Sequence, residues 1–173
     1  MSMIDLARAL PDYAKDLRLN IQSLLNETIL SDQQKYGTLL ASAIAGGHLP
    51  TIAAAEAEAT AKLTPEALNA ARAAAAIMAM NNIYYRFGHL ASNKEYEKLP
   101  ARLRMNIIGA PGIEKADFEL YSLAVSAING CGLCIDAHEK VLQQHGVKVE
   151  VVQAAVRLAS VTVAIAHTLR AIA

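Results

Sequence analysis

Apolar residues along this chain recur at steps of three and four, and the runs are closed by Gly, Pro and Asn. Leu6, Leu10, Tyr13, Leu17, Ile21 and Leu24 follow that step, which is the helical period, and predict two helical pieces within residues 2–30 with Pro11 as an early interruption. Ser31-Asp32 reads as an N-cap before a helix from Gln33 to Ala45, stopped by Gly46-Gly47. A further helix is expected from about Pro50 to Lys62. Thr64-Pro65-Glu66 is a strong start, with Thr at the cap and Pro at the first helical position, for a helix reaching about Arg86. Gly88 to Arg104 is mixed and polar, and Asn106 to Pro111 reads as a short extended or turn segment. Helices follow over Lys115 to Ile128, from Asn129-Gly130 to about Gln144, and over Glu150 to Ala171. No segment alternates with period two in β-branched residues, so the predicted class is all-α.

The pattern also repeats. Leu39, Ser42, Ala43, Ile44, Gly46, Leu49 and Ala53 recur without gaps as Leu123, Ser126, Ala127, Ile128, Gly130, Leu133 and Ala137, 84 residues later. The same offset carries Glu66, Ala70, Ala71 and Ala75 onto Glu150, Ala154, Ala155 and Ala159. We read one domain over 1–173 with a duplicated three-helix unit at about 35–85 and 119–169. The copies differ where chemistry would sit: Gly47, Pro50 and Ala54 in the first stand against Cys131, Cys134 and His138 in the second.

Composition narrows the class. At 54% hydrophobic and 18% charged over 173 residues, the chain is neither disordered nor collagen-like and can bury a sizeable core. Sixteen Lys and Arg balance sixteen Asp and Glu, and no basic cluster stands out, which argues against a nucleic-acid partner. Met1 to Leu10 carries Asp5 and Arg8 and lacks the pattern of a secretory signal. No uninterrupted apolar run approaches the ~20 residues that span a bilayer; the most apolar segment, Val151 to Ala166, contains Gln153 and Arg157. A soluble, cytoplasmic protein without a membrane partner is the expectation.

Two cysteines, Cys131 and Cys134, are the only ones. So short a loop removes little chain entropy, so a structural staple is a poor explanation, and redox work or metal binding is indicated. On a helix the two thiols share a face, and His138 follows Cys134 by one turn. If the helix begins near Cys131, both sulfurs lie in its first turn, where free N–H groups and the helix dipole favour thiolate. His138 can then act as a base toward Cys134, and Glu119, inside an otherwise apolar run, is a candidate partner for the other imidazole nitrogen. Alternatives stay open at this level: two core thiols, a zinc site of the form C-x2-C-x3-H without a clear fourth ligand, or a surface carboxylate at Glu119. Haem attachment is discounted, since Ile135 stands where the adjacent His would be needed. Met78 and Met80 read as core, and His48, His89, His145 and His167 as structural or surface residues.

Leu103-Arg104-Met105-Asn106-Ile107-Ile108, Pro111-Gly112-Ile113, Phe118-Glu119-Leu120 and the run from Ala124 through Cys131, Cys134 and His138 to Glu139 resemble the alkylhydroperoxidase D family. That family lies within the wider carboxymuconolactone decarboxylase-like superfamily. Tyr36 to Ser42, and Ala75, Ile77, Met78, Met80, Asn81, Asn82, Tyr85 and Arg86, extend the resemblance over nearly the whole chain. It implies an all-helical fold with an internal repeat, assembled as a homotrimer. It implies a peroxidase acting on organic hydroperoxides, recycled by a dihydrolipoyl carrier protein and passing electrons to a partner peroxiredoxin through Cys134. No bound metal or flavin is needed, because thiol chemistry carries two electrons. Carried over by position, Cys134 is the peroxidatic residue and Cys131 the proton donor and resolving thiol, with Glu119 and His138 forming a proton relay. The chain departs from the pattern at Leu133, where family members can place a His. Two rival readings are a disulfide-reductase adaptor with little peroxidase activity and a carboxymuconolactone decarboxylase-type enzyme. A third is a helical oligomer that senses metal through Cys131, Cys134 and His138.

Overall fold

A computed structural model describes residues 1–172. Among them the chain forms ten helices and no strand: α1 (Met3–Ala7), α2 (Lys15–Asn26), α3 (Asp32–Gly46), α4 (Leu49–Thr60), α5 (Pro65–Leu90), α6 (Glu95–Lys98), α7 (Asn106–Gly109), α8 (Lys115–Ile128), α9 (Gly132–Gln144) and α10 (Val149–Ala171). The all-α expectation holds.

Local chemistry sets the helix starts. The Ser31 hydroxyl accepts from the Gln34 N–H while the Gln34 side chain reaches back to the Ser31 N–H, a reciprocal cap that opens α3. Thr64 caps α5 from in front of Pro65, as expected.

The core is built around α3 and α8. Every residue from Gly37 to Ala43 and from Asp117 to Ser126 is buried, so both helices are enclosed on all sides. Small side chains make such enclosure possible, since they let neighbouring backbones approach closely. Gly37 is the extreme case: a Cβ there would lie 2.1 Å from Tyr121 Cζ. Tyr121 is itself fully buried and donates its hydroxyl to the Gln33 carbonyl at 2.7 Å. Two buried clusters flank this centre, one with α1, α2 and α10 and one with α5. Helix α10 is long and apolar enough to cross a bilayer by length and composition. Its apolar stripe of Ala154, Ala155, Leu158, Ala159, Thr162, Ile165, Ala166 and Leu169 is buried instead against the rest of the protein.

Shifted by 84 residues, the starts of α3, α4 and α5 fall on, or one residue beyond, those of α8, α9 and α10. The proposed duplication would leave such a shared register.

Three expectations are corrected. Tyr13 does not join the buried face of the N-terminal helices; it sits on a 3₁₀ turn (Asp12–Ala14) and is 78% exposed. Pro11 breaks the helical path there and changes the phase of the apolar pattern. Asn106 to Pro111 is not extended, because Asn106–Gly109 closes one helical turn. Helix α5 runs a turn beyond Arg86 to Leu90, as neither Phe87 nor Gly88 is a strong enough breaker inside a long helix.

Candidate active site

The site forms where α8 turns into α9. Gly130 takes a left-handed backbone (φ +67°), which reverses the chain within two residues of the end of α8. The Cys131 N–H then donates to the Ser126 carbonyl at 3.1 Å. Cys131 is the N-cap of α9, and its sulfur accepts from the Cys134 N–H at 3.3 Å. The sequence-based expectation of both sulfurs inside the first turn is thus corrected by one position. Cys134 is the third helical residue, and Cys131 stands just outside. The two are joined in a disulfide, with their Cα atoms 5.3 Å apart.

Helix α5 holds this turn in place. Asn82 Nδ2 donates to Ser126 Oγ at 2.9 Å, and Asn129 Nδ2 donates to Asn82 Oδ1 at 3.0 Å. The Arg86 guanidinium donates to the Asn129 carbonyl. Sequence reasoning noted Asn82 and Arg86 only as part of a resemblance. The contacts span more than forty residues, and no local spacing reveals them.

His138 lies one turn beyond Cys134 and is buried. Its Nδ1 sits 2.5 Å from Glu119 Oε2, and Lys115 Nζ lies 2.8 Å from Glu119 Oε1. Glu119 is 2% exposed, which removes the surface-carboxylate alternative. Burial pushes its carboxyl up, but hydrogen bonds from His138 and Lys115, with the Lys115 charge beside it, outweigh that and hold it below the usual carboxylate value. An ionised Glu119 only accepts hydrogen bonds, so His138 Nδ1 carries the proton between them. Lys115 was missed from the sequence; the signal was there as a Lys-to-Glu spacing of four on α8. The Lys115 ammonium also donates to the Ile108 carbonyl at 2.7 Å, tying α7 to the site.

The other imidazole nitrogen, Nε2, approaches Met78 Sδ at 3.2 Å. Met78 is buried, as expected of a core residue, yet it also touches His138. Both belong to the wall of a chamber of about 280 Å³ that reaches Cys134. Met105, Ile108, Leu133, Ala137 and the ring of Tyr85 make the lining largely apolar, and Asn81 is its one carboxamide. Cys131, fully buried, is not part of this wall. A second, aromatic-lined cavity of about 520 Å³ adjoins it and shares Tyr85 and Leu133. Leu133, where family members can place a His, is 45% exposed between the two. Among the described residues, no three His, Cys, Asp or Glu side chains are grouped to hold a metal. His48 bonds to Thr51 at 2.8 Å on α4, away from these residues.

Fold and site together describe a helical protein with a Cys-x-x-Cys disulfide at a helix N-terminus, backed by a His–Glu pair. Comparisons with known proteins narrow that class. A family model for the Carboxymuconolactone decarboxylase family matches residues 94–173. Over 93% of both chains, the sequence is 66% identical to the alkyl hydroperoxide reductase AhpD of Rhizorhabdus wittichii. It is 64% identical to that of Hyphomonas neptunium over 99% of this chain and 95% of the relative. With that of Maricaulis maris it shares 62% identity over 99% of each chain. The chain belongs to the alkyl hydroperoxide reductase AhpD family.

Proposed function

We propose that this protein is a thiol peroxidase that reduces organic hydroperoxides through a Cys131–Cys134 disulfide cycle. The observation that carries the reading is the placement of Cys134. It is the sulfur that faces the apolar chamber, beside a His138 whose far nitrogen is held by an ionised Glu119. The relatives' names, alkyl hydroperoxide reductase, agree with it.

In the reduced state the Cys134 thiol lies in the first turn of α9, where helix N–H groups favour thiolate. His138 takes the thiol proton, and Glu119 holds the imidazole in the tautomer and orientation this requires. The thiolate attacks the terminal oxygen of the hydroperoxide. The O–O bond breaks, the alkoxide takes a proton to leave as the alcohol, and Cys134 becomes a sulfenic acid. Cys131 then attacks the sulfenic sulfur, forming the disulfide and releasing water. An incoming dithiol reopens the disulfide at the accessible Cys134 sulfur, with Cys131 leaving as a thiolate that accepts the Cys134 N–H. A dihydrolipoyl group on a carrier protein is the reductant we assign, and a peroxiredoxin is a further acceptor through Cys134. The exposed Ile83, Phe87 and Leu90, on one side of α5, support self-association, and a homotrimer is the assembly we assign. We place the protein in the cytoplasm, where such a pair is kept in turnover by reductants.

The disulfide-reductase adaptor is a second reading. Leu133 leaves an exposed apolar rim directly between the two cysteines, as a docking partner protein would need. A decarboxylase-type reaction has no use for the cysteine pair and is not preferred.

A thiol titration tests the proposal. One equivalent of cumene hydroperoxide should remove two thiols per reduced chain, and dihydrolipoamide should restore them. Cys134→Ser should abolish peroxide turnover, and Cys131→Ser should stall at sulfenate or mixed disulfide. Thiols that stay reduced in the presence of peroxide would overturn it. Efficient dihydrolipoamide reduction without peroxide oxidation would favour the adaptor reading.

A further inference from the structure

Asn81 stands out in the chamber wall. It is 5% exposed, and its Oδ1 is buried without any hydrogen-bond partner. Its neighbour Asn82 is the opposite case, bonded at both ends of its amide to Ser126 and Asn129. Three other buried oxygens lack partners, on Thr38, Ser42 and Ser122, but those are hydroxyls within the packed α3 and α8. None of the three lines the chamber. Along α5, Met78, Asn81 and Tyr85 step by three and four and present one stripe to it. An unpaired amide among apolar side chains lowers stability, and folding alone gives no reason to keep one there.

We infer that Asn81 binds the peroxide group of the substrate and orients its O–O bond toward Cys134. This rests on the peroxidase reading above and adds a residue to it. A carboxamide offers an acceptor and a donor side by side and turns about its last bond at little cost. Turned about that bond toward the chamber, the oxygen accepts the O–H of the hydroperoxide, and the Nδ2–H donates to the neighbouring oxygen that bears the carbon chain. That second contact strengthens as the O–O bond breaks, because the electron pair moves onto this oxygen before it takes a proton. The hydroperoxide's own proton stays on the oxygen transferred to sulfur. The apolar lining accommodates the carbon substituent, and the amide reads the peroxide group.

Asn81→Leu, which keeps the branched shape and removes both hydrogen-bonding groups, tests this. Three rates are measured on the purified protein. These are stopped-flow oxidation of the reduced form by cumene hydroperoxide, alkylation of its thiols by iodoacetamide, and reduction of its disulfide by dithiothreitol. Peroxide oxidation is expected to fall about tenfold or more, as the loss of an oriented hydrogen bond predicts. Alkylation and reduction should stay within about twofold of wild type, since neither uses the amide. The melting temperature should be unchanged or higher, because an unpaired polar group has been replaced by an apolar one. Asn81→Gln, which retains the amide, should recover part of the oxidation rate. Should the Leu variant not fold, Asn81→Ala carries the same comparison. Oxidation at the wild-type rate would overturn the inference, and so would a parallel fall in all three rates. Wild-type protein that peroxide does not oxidise at all would overturn the peroxidase reading, and this inference with it.

Discussion

Gly37 and Tyr121 show how much a single position can carry. A methyl group at Gly37 would meet the Tyr121 ring at 2.1–2.5 Å, with Tyr121 fixed by its hydroxyl bond to Gln33 and fully buried. Burial also pushes the Tyr121 phenol far above its usual range, so it remains a neutral donor. Overpacking of this kind typically costs about 1–3 kcal/mol, and here the ring must also give up its hydrogen bond. Gly37→Ala is expected to lose about 3 kcal/mol or more in urea unfolding. A loss below about 1 kcal/mol would mean that Tyr121 has room to move. The sequence offered Gly37 only as part of a resemblance. Its partner is 84 residues away, and only packing brings the two together.

At the level of elements, the turn between α8 and α9 decides where the sulfurs stand. Gly130 needs its left-handed backbone, but a Cβ there would meet nothing within 4 Å. Gly130→Ala should therefore cost only the conformational penalty, about 1–2 kcal/mol, in contrast to the steric cost at Gly37. Urea unfolding under oxidising conditions measures it, and a loss well beyond that range would mean the turn has rearranged. The helices themselves were legible because caps and period are local: Ser31, Thr64 and Pro65 act on residues three or four away. The one-turn helix at Asn106–Gly109 was not legible. So short a piece has almost no period of its own, and the Lys115 bond to Ile108 helps to hold it.

On the scale of the whole molecule, the Lys115–Glu119–His138 chain joins α8 to α9 and couples folding to pH. The Glu119 carboxyl lies lower in the folded protein than in the unfolded chain, so the folded state favours its ionised form. Its contribution is therefore fully present above the ordinary value of 4.5 and is lost as pH falls through the lower folded value. Glu119→Gln should be less stable than wild type at neutral pH, and the gap should narrow as unfolding is measured below pH 4.5. A gap independent of pH would place the stabilisation outside the carboxylate.

The helical class and most helix boundaries followed from the order of residues alone, since capping and periodicity act within a turn or two. So did the nearness of Cys131, Cys134 and His138, because all three lie within eight residues. Other features needed the packed molecule. Glu119 could have been a surface acid until α8 was enclosed on all sides. Met78 and Asn81 meet the site from α5, across separations that no local pattern encodes. Which sulfur faces the chamber was likewise decided by the α8–α9 turn, which buries Cys131 completely and leaves Cys134 at the wall. Local chemistry sets which groups are available. Burial and long-range contact set which of them are charged, bonded or left free to act.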